Sequence, residues 1–175
     1  DMPVFLKREV TDQFPGLKKD NLKHSVYATK SIHELFEGQF LKKAEVKLFN
    51  YASSIVAINN GKGNFNVQRL PTRLQLSSVN AISAADFNGD GFTDLITGGN
   101  LFTFPPQFGR LDGSYGDLLL NNKKGGFSWV NNSTSGFNWR GEVKDIKLIS
   151  IGKKQHILIT QNNIVPVLLQ GGAVK

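Results

Sequence analysis

The sequence predicts a mainly β protein: part of a β-propeller, with about two to three four-stranded antiparallel blades after a short α-helical N-terminal segment. Three observations predict it. From about residue 45 onward, short runs of β-branched and bulky apolar residues alternate with Asn/Gly turn signals. Landmarks within those runs recur at a fixed spacing. The first 40 or so residues follow a different rule, with apolar residues four apart. The expected division is a helical segment over residues 1–44 and propeller-type repeats over residues 45–175.

The helical elements come first. In PVFLKREVTDQF, Leu6, Val10 and Phe14 line one helical face, and Pro15–Gly16 ends it. KDNLKHSVYA predicts a second short helix with Leu22 and Val26 on one side. SIHELF opens with Ser31 and carries Glu34 three residues on, a capping-box pattern. Two or three short helices are expected.

The expected strands are EVKLFN, SSIVAIN, NAISAA, DLIT, DLLLNN, FSWV, KDIKLISI, HILIT and VPVLL, separated by turns such as NNGKGN, NGDG and NNKKGG. NNGKGNF begins at Asn59 and NNKKGGF at Asn121, 62 residues later; LITGGN begins at Leu95 and LITQNN at Leu158, 63 residues later. Each unit then holds an inner hairpin, a variable connection and an outer hairpin. The connection is residues 99–115 in the middle unit and almost nothing in the last; the helical segment fills that slot in the first. Propellers close with typically 4–8 blades, and about two and a half are countable. The chain therefore reads as the C-terminal portion of a longer protein, its exposed blade faces covered by the helices or by another copy.

Bulk composition sets the bounds. Apolar content of 39% and charged content of 20% suit a globular protein with a real core. No run of about 18 apolar residues is available to span a membrane, and no N-terminal leader is visible. The absence of cysteine excludes disulfides, zinc–thiolate sites and thiol nucleophiles. The net charge is +7, but its lysine pairs (18–19, 42–43, 123–124, 153–154) are dispersed beside turns, so no nucleic-acid partner is expected.

Against that basic background, residues 86–94 read DFNGDGFTD. Side-chain oxygens fall at positions 1, 3, 5 and 9 of the stretch: Asp86, Asn88, Asp90 and Asp94. Position 6 is Gly91, free to take a positive φ, and position 7, Phe92, can turn its carbonyl inward. Ca²⁺ takes 6–8 hard oxygens in flexible geometry, whereas Mg²⁺ demands a tighter octahedron. The loop departs from an EF-hand, because position 12 is Thr97 and the flanks read as strands. A bare Asp/Asn turn would explain one or two acids; four donors in this register point to calcium in a structural role. Asn121→Ala and Gly125→Ala are expected to weaken their hairpin without touching calcium affinity.

DFNGDGFTD resembles the D-x-[DN]-x-D-G-x-x-D signature of FG-GAP/VCBS repeats, which build β-propellers including the head of integrin α subunits. With LLLNNKKGGF it also resembles VCBS-repeat proteins of the ASPIC/UnbV and cartilage-acidic-protein type, secreted or surface proteins of Bacteroidetes-like bacteria; the helical segment FLKREVTDQFPGLKKDNLKHSVYATKSIHELF is more loosely similar to inserts in that group. The resemblance implies a calcium-dependent module that is extracellular, periplasmic or on the cell surface. The last unit departs from the pattern: SIGKKQHILIT stands where the middle one has DFNGDGFTDLIT. One calcium site is expected, not several.

Residues 99–115, GNLFTFPPQFGRLDGSY, form the other candidate. Phe102, Phe104, Phe108, Arg110 and Tyr115 make a candidate partner-binding loop; the plainer and preferred reading is that the aromatics pack the loop against its own blade or the helices. Asp112 and Asp117 are the nearest thing to an acid/base pair, and nothing fixes their separation. His24, His33 and His156 are scattered, and no Ser/His/Asp arrangement is recognisable. Trp129 is expected to pack its hairpin, and Asn131 and Asn132 both satisfy N-x-[ST]. The expected function is therefore a non-catalytic, calcium-stabilised binding or adhesion module for a glycan or protein. The alternatives are an accessory scaffold of a polysaccharide-acting enzyme, or an element that self-associates through exposed blade edges.

Overall fold

In the computed structural model, residues 2–104 and 109–170 are described. They form two compact units, Asp1–Asn50 and Tyr51–Lys175.

The first unit holds five short helices: α1 (Lys7–Gln13), α2 (Gly16–Asp20), α3 (His24–Ala28), α4 (Ile32–Leu35) and α5 (Gly38–Lys43). Phe14 ends α1 just ahead of Pro15. At Ser31 the Glu34 carboxylate accepts both the backbone N–H (2.7 Å) and the hydroxyl (2.8 Å), so Glu34 secures the start of α4. The expected apolar face does not form, since Leu6 and Phe14 stand exposed and the buried side chains are Tyr27, Leu35, Lys7, Thr11 and Asn21. Helices of four to seven residues are too short to press a continuous stripe on a partner. Polar staples tie the chain instead: Lys7 Nζ donates to the Leu22 carbonyl at 2.7 Å, and the Tyr27 hydroxyl to the Phe5 carbonyl at 3.1 Å.

EVKLFN is also not a strand. Residues 44–54 have no regular structure, and Val46, Leu48 and Phe49 are 77%, 86% and 94% exposed. A strand needs a neighbour to take its backbone hydrogen bonds, and residues 45–50 have none among the described residues.

The second unit is built of three antiparallel sheets, each a meander in chain order. The first pairs β1 (Ile55–Asn59) with β2 (Phe65–Arg69); a 3-10 turn follows at Thr72–Gln75. The second runs β3 (Val79–Ala85), β4 (Asp94–Gly99), β5 (Asp117–Asn121) and β6 (Phe127–Val130). A one-turn helix α6 (Asn132–Ser135) leads to the third: β7 (Val143–Ile151), β8 (Lys154–Gln161) and β9 (Ile164–Gln170). The protein is thus mainly β, and no sheet closes on itself.

The sheets stack face to face with the four-stranded one in the middle. On one face Ile96 and Leu118 pack against Val143, Ile146, Ile157 and Ile159 of the third sheet. On the other, Leu119 packs with Leu70 and Leu74, and with Val56 of the first sheet. This double burial explains why β4 and β5 lack the period-two alternation of a half-exposed strand. Side chains such as Ile96, Leu119 and Ile159 are wholly buried, and each stabilises the fold by about 1.5–3 kcal/mol.

The repeat is visible at the level of single hydrogen bonds. In the β1–β2 turn, Asn59 Oδ1 accepts Gly61 N–H and Asn60 Oδ1 accepts Lys62 N–H. In the β5–β6 turn, Asn121 Oδ1 accepts Lys123 N–H and Asn122 Oδ1 accepts Lys124 N–H. Asn100 and Asn163, 63 residues apart, both take a positive φ, 78° and 57°.

Antiparallel order puts the functional candidates at two ends. The acidic loop and the β5–β6 turn share one end of the middle sheet. The β4–β5 connection and the β6–β7 connection share the other.

Candidate metal centre and opposite-end cavity

The acidic loop is wound around its first residue. Asp86 Oδ1 accepts the N–H groups of Gly89 (2.8 Å) and Asp90 (3.0 Å), and Oδ2 accepts that of Gly91 (2.8 Å). Gly89 and Gly91, at φ 77° and 86°, let the backbone turn its amides inward. Asn88 Oδ1 accepts Asp90 N–H and Asp90 Oδ1 accepts Phe92 N–H. Asp94, wholly buried at the start of β4, accepts Phe87 N–H at 3.0 Å through Oδ2 and Asn121 N–H at 2.8 Å through Oδ1.

The β5–β6 turn closes over this loop. Asn121 Nδ2 donates to the Thr93 carbonyl at 3.1 Å. Lys123 Nζ lies 3.2 Å from Asp90 Oδ2 and 5.0 Å from the centre of the Phe92 ring. The Phe92 amide, and after it Lys123, hold the Asp90 carboxyl below its ordinary range. The two turns are therefore in direct contact. A contact across 27 residues has no trace in either local motif.

The donor set fits a hard divalent cation: three carboxylates, one amide oxygen and the Phe92 carbonyl offer oxygen alone. The side chains are not drawn together around a point, for no three acidic, His or Cys groups among the described residues converge closely enough to hold an ion. The cation that meets Asp90 in this arrangement is the Lys123 ammonium.

At the opposite end, Asn100 is the organiser. It is buried, and its Nδ2 donates to the carbonyls of Ser114 (2.9 Å), Arg140 (3.2 Å) and Gly141 (3.2 Å). Its Oδ1 accepts Ser114 N–H and the Ser77 hydroxyl, each at 2.9 Å. Beside it the buried Glu142 carboxylate accepts Lys144 Nζ at 2.7 Å and Asn162 Nδ2 at 3.1 Å. These bonds, together with that of the Phe102 amide, hold its pKa below the usual carboxylate value. Neither Asn100 nor Glu142 was singled out from sequence; the only local signal was the repeated position of Asn100 and Asn163.

The connection between β4 and β5 is pinned by the mutual backbone bonds of Leu101 and Leu111. Arg110 stacks 4.0 Å over the Phe102 ring. Tyr115 contacts two guanidiniums, Arg73 and Arg140, each 5.0 Å from its ring centre. Phe104 is exposed, and Phe108 lies outside the described residues. None of Phe102, Phe104 and Tyr115 belongs to either hydrophobic core cluster. Phe102, Arg110, Asp112, Trp139, Arg140 and Gln161 help to line an open cavity of about 590 Å³. Trp139 reaches its place because Gly116 lacks a side chain: a Cβ there would come within 2.8 Å of the indole.

Asp112 and Asp117 have separate partners. Asp117 is buried, accepts Trp129 Nε1 at 2.9 Å and the Ser114 hydroxyl at 3.3 Å, and lies 3.9 Å from Arg73. Burial raises its pKa. Asp112 is half-exposed and lies 3.8 Å from Arg140. Asp117 thus anchors the tryptophan of its own hairpin. Of the two N-x-[ST] asparagines, Asn132 spends its amide on the Gly116 and Phe137 carbonyls, while Asn131 caps α6.

Stacked antiparallel meanders with an acidic loop inside one hairpin define a repeat-built β-sheet protein. Residues 78–112, from β3 through the acidic loop and β4 into the following connection, match the FG-GAP repeat family model. That stretch of the chain is therefore similar to an FG-GAP repeat. Comparison with curated proteins and with solved structures gives no match. No helix among the described residues is long and apolar enough to cross a membrane.

Proposed function

We propose that the β unit is a non-catalytic binding module of an extracytoplasmic β-propeller, stabilised by calcium. The observation that carries this reading is the coincidence of the FG-GAP match with an all-oxygen donor loop. Asp86, Asn88, Asp90, Asp94 and the Phe92 carbonyl would hold the ion, which would neutralise the cluster and brace the β3–β4 hairpin. With a Kd of about 10 μM and about 1 mM free Ca²⁺, binding would stabilise the fold by roughly 2.7 kcal/mol. The cavity at the other end of the same strands is the recognition surface for a glycan or protein.

Calorimetric titration with calcium, and melts in calcium and in chelator, test the proposal. One site per chain and a raised Tm support it, and Asp90→Ala should remove both. No heat and no shift in the unaltered chain overturn the calcium role. A second reading, self-association, is favoured by the exposed Ile164, Val165 and Leu168 on β9; sedimentation at several concentrations distinguishes it.

A further inference from the structure

We propose that the opposite-end cavity takes a carboxylate-bearing sugar, a uronic acid residue of an acidic polysaccharide. This deepens the binding-module reading and rests on it.

Arg110 is placed for an external anion. It is exposed, its guanidinium is steadied on the Phe102 ring at 4.0 Å, and it has no carboxylate partner among the described residues. A stacked guanidinium keeps its in-plane N–H fork free, and that fork matches a carboxylate with two parallel bonds. The neighbouring Arg140 is already attended by Asp112 at 3.8 Å. The charge of the cavity is therefore one unsatisfied cation beside one balanced pair.

The remaining lining narrows the ligand. A simple anion such as phosphate would meet Arg110 but leave the oxygens of Asp112 and Gln161 with little to accept. A ligand that presents a carboxylate to Arg110 and hydroxyl donors to Asp112 and Gln161 satisfies both. Trp139 adds aromatic surface to the lining, and an electron-rich ring face suits the C–H side of a pyranose ring. A uronic acid offers all three features within one ring. The cavity volume of about 590 Å³ falls in the range of small-molecule sites. An acidic peptide would call for an extended groove or a free strand edge, and it lacks the ring hydroxyls that would donate to Asp112 and Gln161.

The test is calorimetry in calcium with a galacturonic acid tetrasaccharide. The same tetrasaccharide with its carboxyls reduced, a glutamate-rich peptide and inorganic phosphate serve as comparisons. The acidic sugar should bind; the other three should bind at least tenfold more weakly. Arg110→Ala should raise the acidic-sugar Kd tenfold or more, with Arg110→Lys between, since an ammonium lacks the fork. Both substitutions are on an exposed side chain, and unchanged melting would show that the fold is intact. Absence of acidic-sugar binding, equal binding of peptide or phosphate, or an unchanged Kd in Arg110→Ala would overturn the proposal. Repeating the titration in chelator separates the two claims. Sugar binding with no calcium heat removes the metal role alone; calcium heat without sugar binding removes the ligand class alone.

Discussion

Asp94 and Asn121, 27 residues apart, are joined by a 2.8 Å hydrogen bond from the Asn121 amide to Asp94 Oδ1. The other oxygen of the same buried carboxylate holds the Phe87 amide. One side chain thus fixes the acidic loop to its own strand and to the outer hairpin. Asp94→Ala leaves two partly buried donors without partners and should cost about 2 kcal/mol or more in chelator, and more in calcium, where a ligand is lost as well. Urea denaturation under both conditions checks this; a loss confined to calcium would mean that ligation, not hairpin coupling, is its main role.

Lys123 occupies the charge position that a bound ion would share. Removing its ammonium from beside Asp90 should tighten calcium binding several-fold at low salt, because a like charge no longer opposes the incoming cation. Lys123→Met, titrated with calcium at two ionic strengths, should show a lower Kd whose advantage shrinks as salt screens it. An unchanged or raised Kd would place Lys123 outside the field of the site.

Asn100 combines a left-handed backbone with a fully used side-chain amide. Asn100→Ala loses the bonds to Ser77, Ser114, Arg140 and Gly141 and keeps a φ of 78° that alanine resists. A loss of about 3–5 kcal/mol is expected, with the cavity end opening first. Hydrogen exchange at Ser114 and Trp139 reports that order. A loss within 1 kcal/mol would show that backbone pairing alone holds the connections.

Glu142 makes stability pH-dependent with a definite sign. Its folded pKa lies below the ordinary glutamate value, so its stabilisation is present above that value and is lost as pH falls through the folded pKa. Glu142→Gln should therefore be less stable than the parent at pH 7, with the gap closing in acid. Chemical denaturation from pH 7 to pH 3 measures the gap, and a constant difference would remove the carboxylate charge from the explanation.

The β repeat was legible because Asn/Gly turns and apolar runs are local signals. Asn59 and Asn121 announced equivalent hairpins, and the hydrogen bonds of both turns repeat atom for atom. The acidic loop was legible for the same reason. What depended on distant partners was not. EVKLFN has strand composition but no neighbour, and Leu6 and Phe14 have helical spacing on helices too short to bury them. Lys123 is one of many surface lysines until the β5–β6 turn folds over Asp90. Asn100 looks like an ordinary turn residue until Ser114, Arg140 and Gly141 arrive around it.

The sandwiching of the middle sheet also sets a gradient of local opening. The amides of Ile96 and Leu118 lie between two apolar layers and should exchange only when the β unit unfolds as a whole. The two strands of the first sheet are covered on fewer sides; Ile55, Ile58, Phe65 and Val67 are exposed. Their amides should exchange by fraying, without disturbing the strands that carry the acidic loop. The β unit would then keep the hairpins around its acidic loop assembled while its outer sheet breathes, so slow amides in β4 and β5 should report global unfolding and fast ones in β1 and β2 only local opening.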